Sequence, residues 1–158
     1  MWFFMYCCYF FSLTTLICLI AGFIQSFSNF HIFNANHVLF VIFISILYSF
    51  TETLIIFFFV GTGVSIKEYT QSHRLNNSYH QRSIAVKRKI YPPLMMNILY
   101  MIILFVLVGG VDTHRVPKWA YQTLFIVCVF DYLRIKIIQN ESFKLNTRII
   151  LEMSGITR

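Results

Sequence analysis

Val38-Leu-Phe-Val-Ile-Phe-Ile-Ser-Ile-Leu-Tyr-Ser-Phe-Thr-Glu-Thr-Leu-Ile-Ile-Phe-Phe-Phe-Val60 decides how this chain is read. A hydrocarbon core of roughly 30 Å needs about 20 apolar residues in a helix, and this run supplies them with a single carboxylate, Glu52, inside it. A charge at that depth costs about 2.5–3.5 kcal/mol on insertion scales, so Glu52 must face protein or water and not lipid. Ser45, Ser49, Glu52 and Thr53 recur at helical spacing and mark one expected inward face, while Phe57, Phe58 and Phe59 crowd the far end of the run.

Composition agrees. Of 158 residues, 58% are hydrophobic and 12% charged, whereas about a quarter of the residues of a soluble domain carry charge. The expected class is an all-α integral membrane protein, one domain over residues 1–158. Phenylalanine, isoleucine and tyrosine abound while alanine occurs only at Ala21, Ala35, Ala85 and Ala120, a bias expected of an AT-rich genome such as that of an organelle or a low-GC bacterium. The net charge of +7 does not indicate nucleic acid, because the Lys and Arg residues lie in segments flanking apolar runs, where topology accounts for them.

Three further runs match the first. Residues 2–24 have no Lys or Arg in front of them and are too long for the apolar core of a cleaved signal peptide, so they read as a retained span. Its Cys8, Ser12, Thr15 and Gly22 lie close to one helical face and suit a packing seam. Residues 94–111 carry Asn97 and Tyr100 near their entry and Gly109 and Gly110 near their exit. Residues 119–138 begin with Trp119 and Tyr121 at the level of an interfacial aromatic belt. The expectation is therefore a four-helix transmembrane bundle with spans at 2–24, 38–60, 94–111 and 119–138. Residues 25–37 form a polar loop, 61–92 a basic hydrophilic loop, 112–118 a tight connector and 139–158 a short polar tail. Pro92 and Pro93 are expected to open the third helix. In the tail, Ile149, Ile150, Leu151 and Met153 form a short amphipathic pattern suited to a surface or a partner.

Four spans put both termini and the 61–92 loop on one side. That side would hold Lys67, Arg74, Arg82, Lys87, Arg88, Lys89, Lys136, Lys144, Arg148 and Arg158, and the other side Arg115 and Lys118. The positive-inside rule then places both termini in the cytoplasm, or in the matrix of a mitochondrial inner membrane.

This orientation lets depths be compared. Helices two and four run the same way, so Glu52 and Asp131 come within about 2 Å in depth at 1.5 Å rise per residue. Asn97 and Tyr100 enter from the same side, and Arg134 follows Asp131 at i, i+3. Glu52, Thr53, Asn97, Tyr100, Asp131 and Arg134 are thus the candidate intramembrane polar cluster, to be read as a lock between helices or as a proton, quinone or substrate site.

Motifs exclude more than they assign. Gly61 and Gly63 lack the spacing of a phosphate loop, and no Ser-His-Asp set or H-E-x-x-H occurs. Cys7, Cys8, Cys18 and Cys128 fall in apolar runs without a C-x-x-C pair, so no disulfide or zinc site is expected. His31, His37 and His114 belong to the outer connections and His73 and His80 to the inner loop, which argues against a mid-membrane haem. No cofactor is expected other than a quinone or a bound lipid, and no metal.

The expected role is an accessory or structural subunit of a multi-subunit membrane complex, respiratory in an energy-transducing membrane, not catalytic alone, with lipid and other membrane subunits as partners. Two alternatives are a quinone-binding anchor of an oxidoreductase, using Tyr100, Arg134 and a carboxylate, and a small proton-coupled transporter. In architecture, a four-helix chain with one deep glutamate resembles the small multidrug-resistance exporters. In those exporters the glutamate lies in the first helix and the loops are shorter, whereas here it lies in the second.

Overall fold

The computed structural model describes residues 2–28 and 36–155. Four helices follow one another: α1 (Trp2–Phe27), α2 (His37–Ser72), α3 (Ser78–Asp112) and α4 (Lys118–Met153). Each packs on the next, and α1 closes the ring on α4. The described residues hold no strand.

The packing follows from the spacing of buried positions. On α4 these are Tyr121, Phe125, Cys128, Tyr132, Ile135, Gln139, Ser142, Asn146 and Ile149, in steps of four and three, with Phe143 beside Ser142. On α3, Ile90, Leu94, Asn97, Met101, Leu104 and Val108 repeat the pattern. A period of 3.5 keeps one stripe of a helix against its neighbours over many turns, the geometry of left-handed bundles. Side chains off the stripe are as apolar as those on it: Phe3, Ile17, Ile46, Val106 and Phe130 are exposed. Such a surface suits contact with lipid. By length and composition α1, α2 and α3 are apolar enough to cross a membrane. α4 falls short because Gln122, Asp131, Arg134 and Lys136 interrupt its apolar run.

Several boundaries differ from the sequence reading. Most of the hydrophilic stretch 61–92 is helical, because α2 runs on to Ser72 and α3 starts at Ser78, leaving a turn in which Arg74 takes a left-handed φ of 49°. The polar tail is helical as far as Met153, and Ile149 is buried within the chain's own core rather than on a surface. Pro92 and Pro93 lie inside α3 and do not begin it. Each deprives a carbonyl one turn back of its donor, but Arg88 and Lys89, which carry those carbonyls, are exposed, so water can serve them. His37 opens α2 instead of sitting in a loop. His31, the rest of the 29–35 stretch and Arg158 lie outside the described residues.

α2, α3 and α4 thus extend past the start of α1 as a three-helix stem. This is the basic end of the molecule. Arg82 and Glu152 pair across α3 and α4 at 2.5 Å, and Lys89 and Glu141 at 2.8 Å, both on the solvent side. The hydrogen bonds from Arg82 and Lys89 hold the carboxyls of Glu152 and Glu141 below their ordinary value.

Candidate functional site

The core is split in two. One apolar cluster, at the far end, joins Leu19, Ile44, Tyr48, Met101, Leu104 and Tyr132 with their neighbours. The other, toward the basic end, joins Cys8, Ile55, Phe58, Ile90, Leu94 and Ile135. On three helices the chain passes from one cluster to the other through buried polar residues, Thr15 on α1, Thr51 and Glu52 on α2 and Asn97 on α3, and on α4 the buried Gln139 lies one turn past Ile135, within the second cluster. This polar layer is the candidate site.

Glu52 is fully buried. Its Oε1 accepts from Lys136 Nζ at 2.7 Å and its Oε2 from Gln139 Nε2 at 2.7 Å, while Lys136 Nζ also donates to Gln139 Oε1 at 2.9 Å. The three side chains form a closed ring of charge-assisted hydrogen bonds between α2 and α4. The ammonium group lies 4.4 Å from the centroid of the Tyr132 ring, whose negative π face gives it a second partner. Tyr132 in turn donates its hydroxyl to the Ser12 carbonyl at 3.0 Å and so ties the layer to α1. A second tie joins α1 and α2: the hydroxyls of Thr15 and Thr51 share a hydrogen bond at 2.8 Å, and each is also 2.8 Å from a carbonyl one turn back, of Phe11 and Leu47. Asn97 Nδ2 donates to Asp131 Oδ2 at 2.9 Å, joining α3 to α4. Arg134 stands 3.8 Å from Asp131 Oδ1 with its own side chain 74% exposed.

Of the six candidate residues, four take part as two separate groups. Asn97, Asp131 and Arg134 make one, and Glu52 makes the other with two residues the sequence reading did not select. Thr53 is exposed, one residue round the helix from the buried stripe, and the inward hydroxyl is that of Thr51. Tyr100 is partly buried and packs against the far-end apolar cluster. Ser49 is exposed and Ser45 half-buried; together with Met101, Ile102 and Phe105 they line a shallow cavity on the α2–α3 side. The inward stripe of α2 is Val41, Ile44, Tyr48, Thr51, Glu52 and Ile55. Lys136 was hidden by its position near the end of the expected span, where it counts as a flanking charge. The detectable signal was Lys136 and Gln139 at i, i+3, the first of them five residues beyond Asp131.

A second polar feature lies at the far end. His37 Nε2 and the Tyr121 hydroxyl are 2.9 Å apart, with the rings edge to face. Both line a cavity of about 600 Å³ whose rim includes Asp112, His114 and Lys118. His37 and His114 therefore do share one end of the molecule, and the first of them is half-buried rather than a solvated loop residue. Among the described residues no three His, Cys, Asp or Glu side chains are placed to hold a metal ion.

Compared with protein-family models, with curated proteins and with solved structures, the chain matches none of them.

Proposed function

We propose that the chain crosses the membrane four times and serves as a structural subunit of a larger membrane assembly. The observation that carries this reading is the closure of the polar layer: both oxygens of the one deep acid are held by Lys136 and Gln139 of the same chain. An acid so occupied acts as a lock between α2 and α4. A quinone anchor or a proton-coupled exporter needs its acid open to a cavity, whereas Glu52 is fully buried with both carboxyl oxygens occupied.

The same ring supports a fourth span. Lys136 and Glu52 neutralise each other, and Asp131 has partners in Asn97 and Arg134, so the charges that lower the hydropathy of α4 need not meet lipid unpaired. Taking Lys136 out of the flanking charges leaves Lys67, Arg74, Arg82, Lys87, Arg88, Lys89, Lys144 and Arg148 at the basic end against Arg115 and Lys118 at the other. That end is assigned to the cytoplasm or matrix. Impermeant labelling of single cysteines placed at Ser28 and Ser78 should modify them from opposite sides of the membrane; modification from the same side rules out four spans. Native mass measurement of the chain extracted under mild detergent should find it with other polypeptides, and a homogeneous, functional monomer or homodimer would overturn the subunit reading.

A further inference from the structure

Of the three charges in the expected fourth span, Asp131 and Lys136 turn toward the other helices and Arg134 does not. The side chain of Arg134 is 74% exposed, against 18% for Asp131 and 19% for Lys136. Among the described residues its partner is Asp131 Oδ1 at 3.8 Å, too far for a hydrogen bond, and the other oxygen of that carboxylate already accepts from Asn97. The N–H donors of the guanidinium are therefore left to the surroundings.

Those surroundings are apolar. Phe130 at i−4 and Ile137 at i+3 share the face of Arg134 and are 69% and 65% exposed, and Val127 and Leu133 are exposed beside them. In a chain that crosses the membrane four times such a face meets acyl chains, and a guanidinium on it has to reach an acceptor outside the hydrocarbon. The same face shows where that acceptor lies. Glu141, at i+7 from Arg134, pairs with Lys89 on the solvent side, about 10 Å further toward the basic end at 1.5 Å rise per residue. Arg134 stands four residues, about 6 Å, before the expected end of the span at residue 138. The phosphates of the leaflet lie between these levels, within reach of a long side chain that bends toward the basic end.

Charge and depth choose the occupant. A phosphate diester presents acceptor oxygens to the planar fork of an arginine and is already at this level in the bilayer. The carboxylate of a neighbouring span would first have to be carried into the hydrocarbon, and it would come to rest beside Asp131, a like charge.

We propose that the outward face of α4 is a phospholipid site, in which Arg134 holds the phosphate of a lipid in the leaflet at the basic end and Phe130 and Val127 support its acyl chains. The proposal rests on the reading of α4 as a span. The test uses the full chain with its assembly, reconstituted in phosphatidylcholine vesicles that contain diacylglycerol with the same acyl chains. Benzoylphenylalanine, a photoreactive residue, replaces Phe130 and, as a control, the exposed Ile46 of α2. The two positions are level, because each precedes a member of the Glu52–Lys136 pair by the same number of residues on helices that run the same way. Adducts at the Phe130 site should be enriched in phosphatidylcholine over diacylglycerol by about threefold relative to the Ile46 site, the worth of one exposed charge pair. Arg134→Gln should bring the two sites level, whereas Arg134→Lys should keep most of the enrichment, because an ammonium also reaches a phosphate. Helix content should not change, since the side chain faces outward. Equal ratios at the two sites in the wild-type chain overturn the proposal. So do a ratio unmoved by Arg134→Gln and a loss in Arg134→Lys as complete as in Arg134→Gln; in all three cases lipid still reaches Phe130 and the span stands. An adduct to a second polypeptide in place of lipid overturns it as well, in favour of a helix contact. A Phe130 site that captures neither lipid nor polypeptide removes the span and the proposal together.

Discussion

The two halves of the molecule are packed by different rules. Toward the far end four helices enclose Leu19, Ile44, Leu104 and Phe125, and the residues facing outward, such as Ile17, Phe43 and Val106, are no more polar than those inside. In the stem three helices enclose Ile66, Val86 and Ile149 together with Thr70, Ser83, Ser142 and Asn146, while charged residues occupy the outside. Where the surroundings are apolar, polarity cannot sort inside from outside, and shape and hydrogen bonding must do so. Where they are water, the apolar residues suffice to hold three helices even with polar ones among them. The polar layer lies inside the four-helix part, above the level at which Phe4 of α1 packs on Phe58 and the stem begins.

The largest effect is expected at the polar layer. Lys136→Met leaves Glu52 buried without its counter-charge and should cost about 3–5 kcal/mol in reversible unfolding in detergent micelles, whereas the double variant Glu52→Leu, Lys136→Met should be near neutral or stabilising. A double variant as unstable as the single one would show that the layer does more than balance its own charges.

Glycine substitutions compare the halves directly. At Gly22 in the four-helix half an added Cβ would lie 2.5 Å from Ile44 Cδ1 and 3.4 Å from Phe125 Cζ, both in packed core. Gly22→Ala should therefore cost about 1–3 kcal/mol in the same unfolding measurement. At Gly63 in the stem the added Cβ would meet the flexible end of Lys87, at its Nζ. The ammonium can swing aside toward water, and with the gain in helix propensity Gly63→Ala should stay within about 1 kcal/mol of the parent. Equal costs at the two glycines would remove the contrast in packing rigidity.

The smallest effect concerns the stem surface. Glu141 and Glu152 have folded values depressed below 4.5 by Lys89 and Arg82. Their contribution is present above about pH 4.5 and is lost as the pH falls through the lower folded values. Hydrogen exchange in residues 139–153 should thus be steady from neutral pH down to that point, apart from the intrinsic pH dependence of exchange. Protection should fall modestly below it, and less in high salt because both pairs are in water. A loss of protection already near neutral pH would point to a different group.

How far the sequence could be read follows the same division. The helical runs were legible because 20 apolar residues in a row admit few alternatives. The need of Glu52 for a partner was legible from the cost of a bare charge, and the level of Asn97 and Asp131 from simple rise arithmetic. Which face of α2 turns inward was not, because with apolar residues all round the helix the serines Ser45 and Ser49 carried no directional signal, and their own hydroxyls can bond within the helix: Ser45 Oγ donates to the Val41 carbonyl at 2.8 Å. The stem was read as a loop and a tail because Ser83, Ser142 and Asn146 occupy its inward positions, so the apolar repeat that betrays a helix is broken where the helices touch.

The Glu52–Lys136 pair also imposes an order of events during synthesis. Its members are 84 residues apart in the chain, so the acid reaches the membrane on the order of 10 s before its counter-ion at usual elongation rates. Throughout that interval Glu52 has to be held without the two side chains that close its ring. Only the arrival of α4 supplies them, and the fourth helix is thus the one that commits the second to its place.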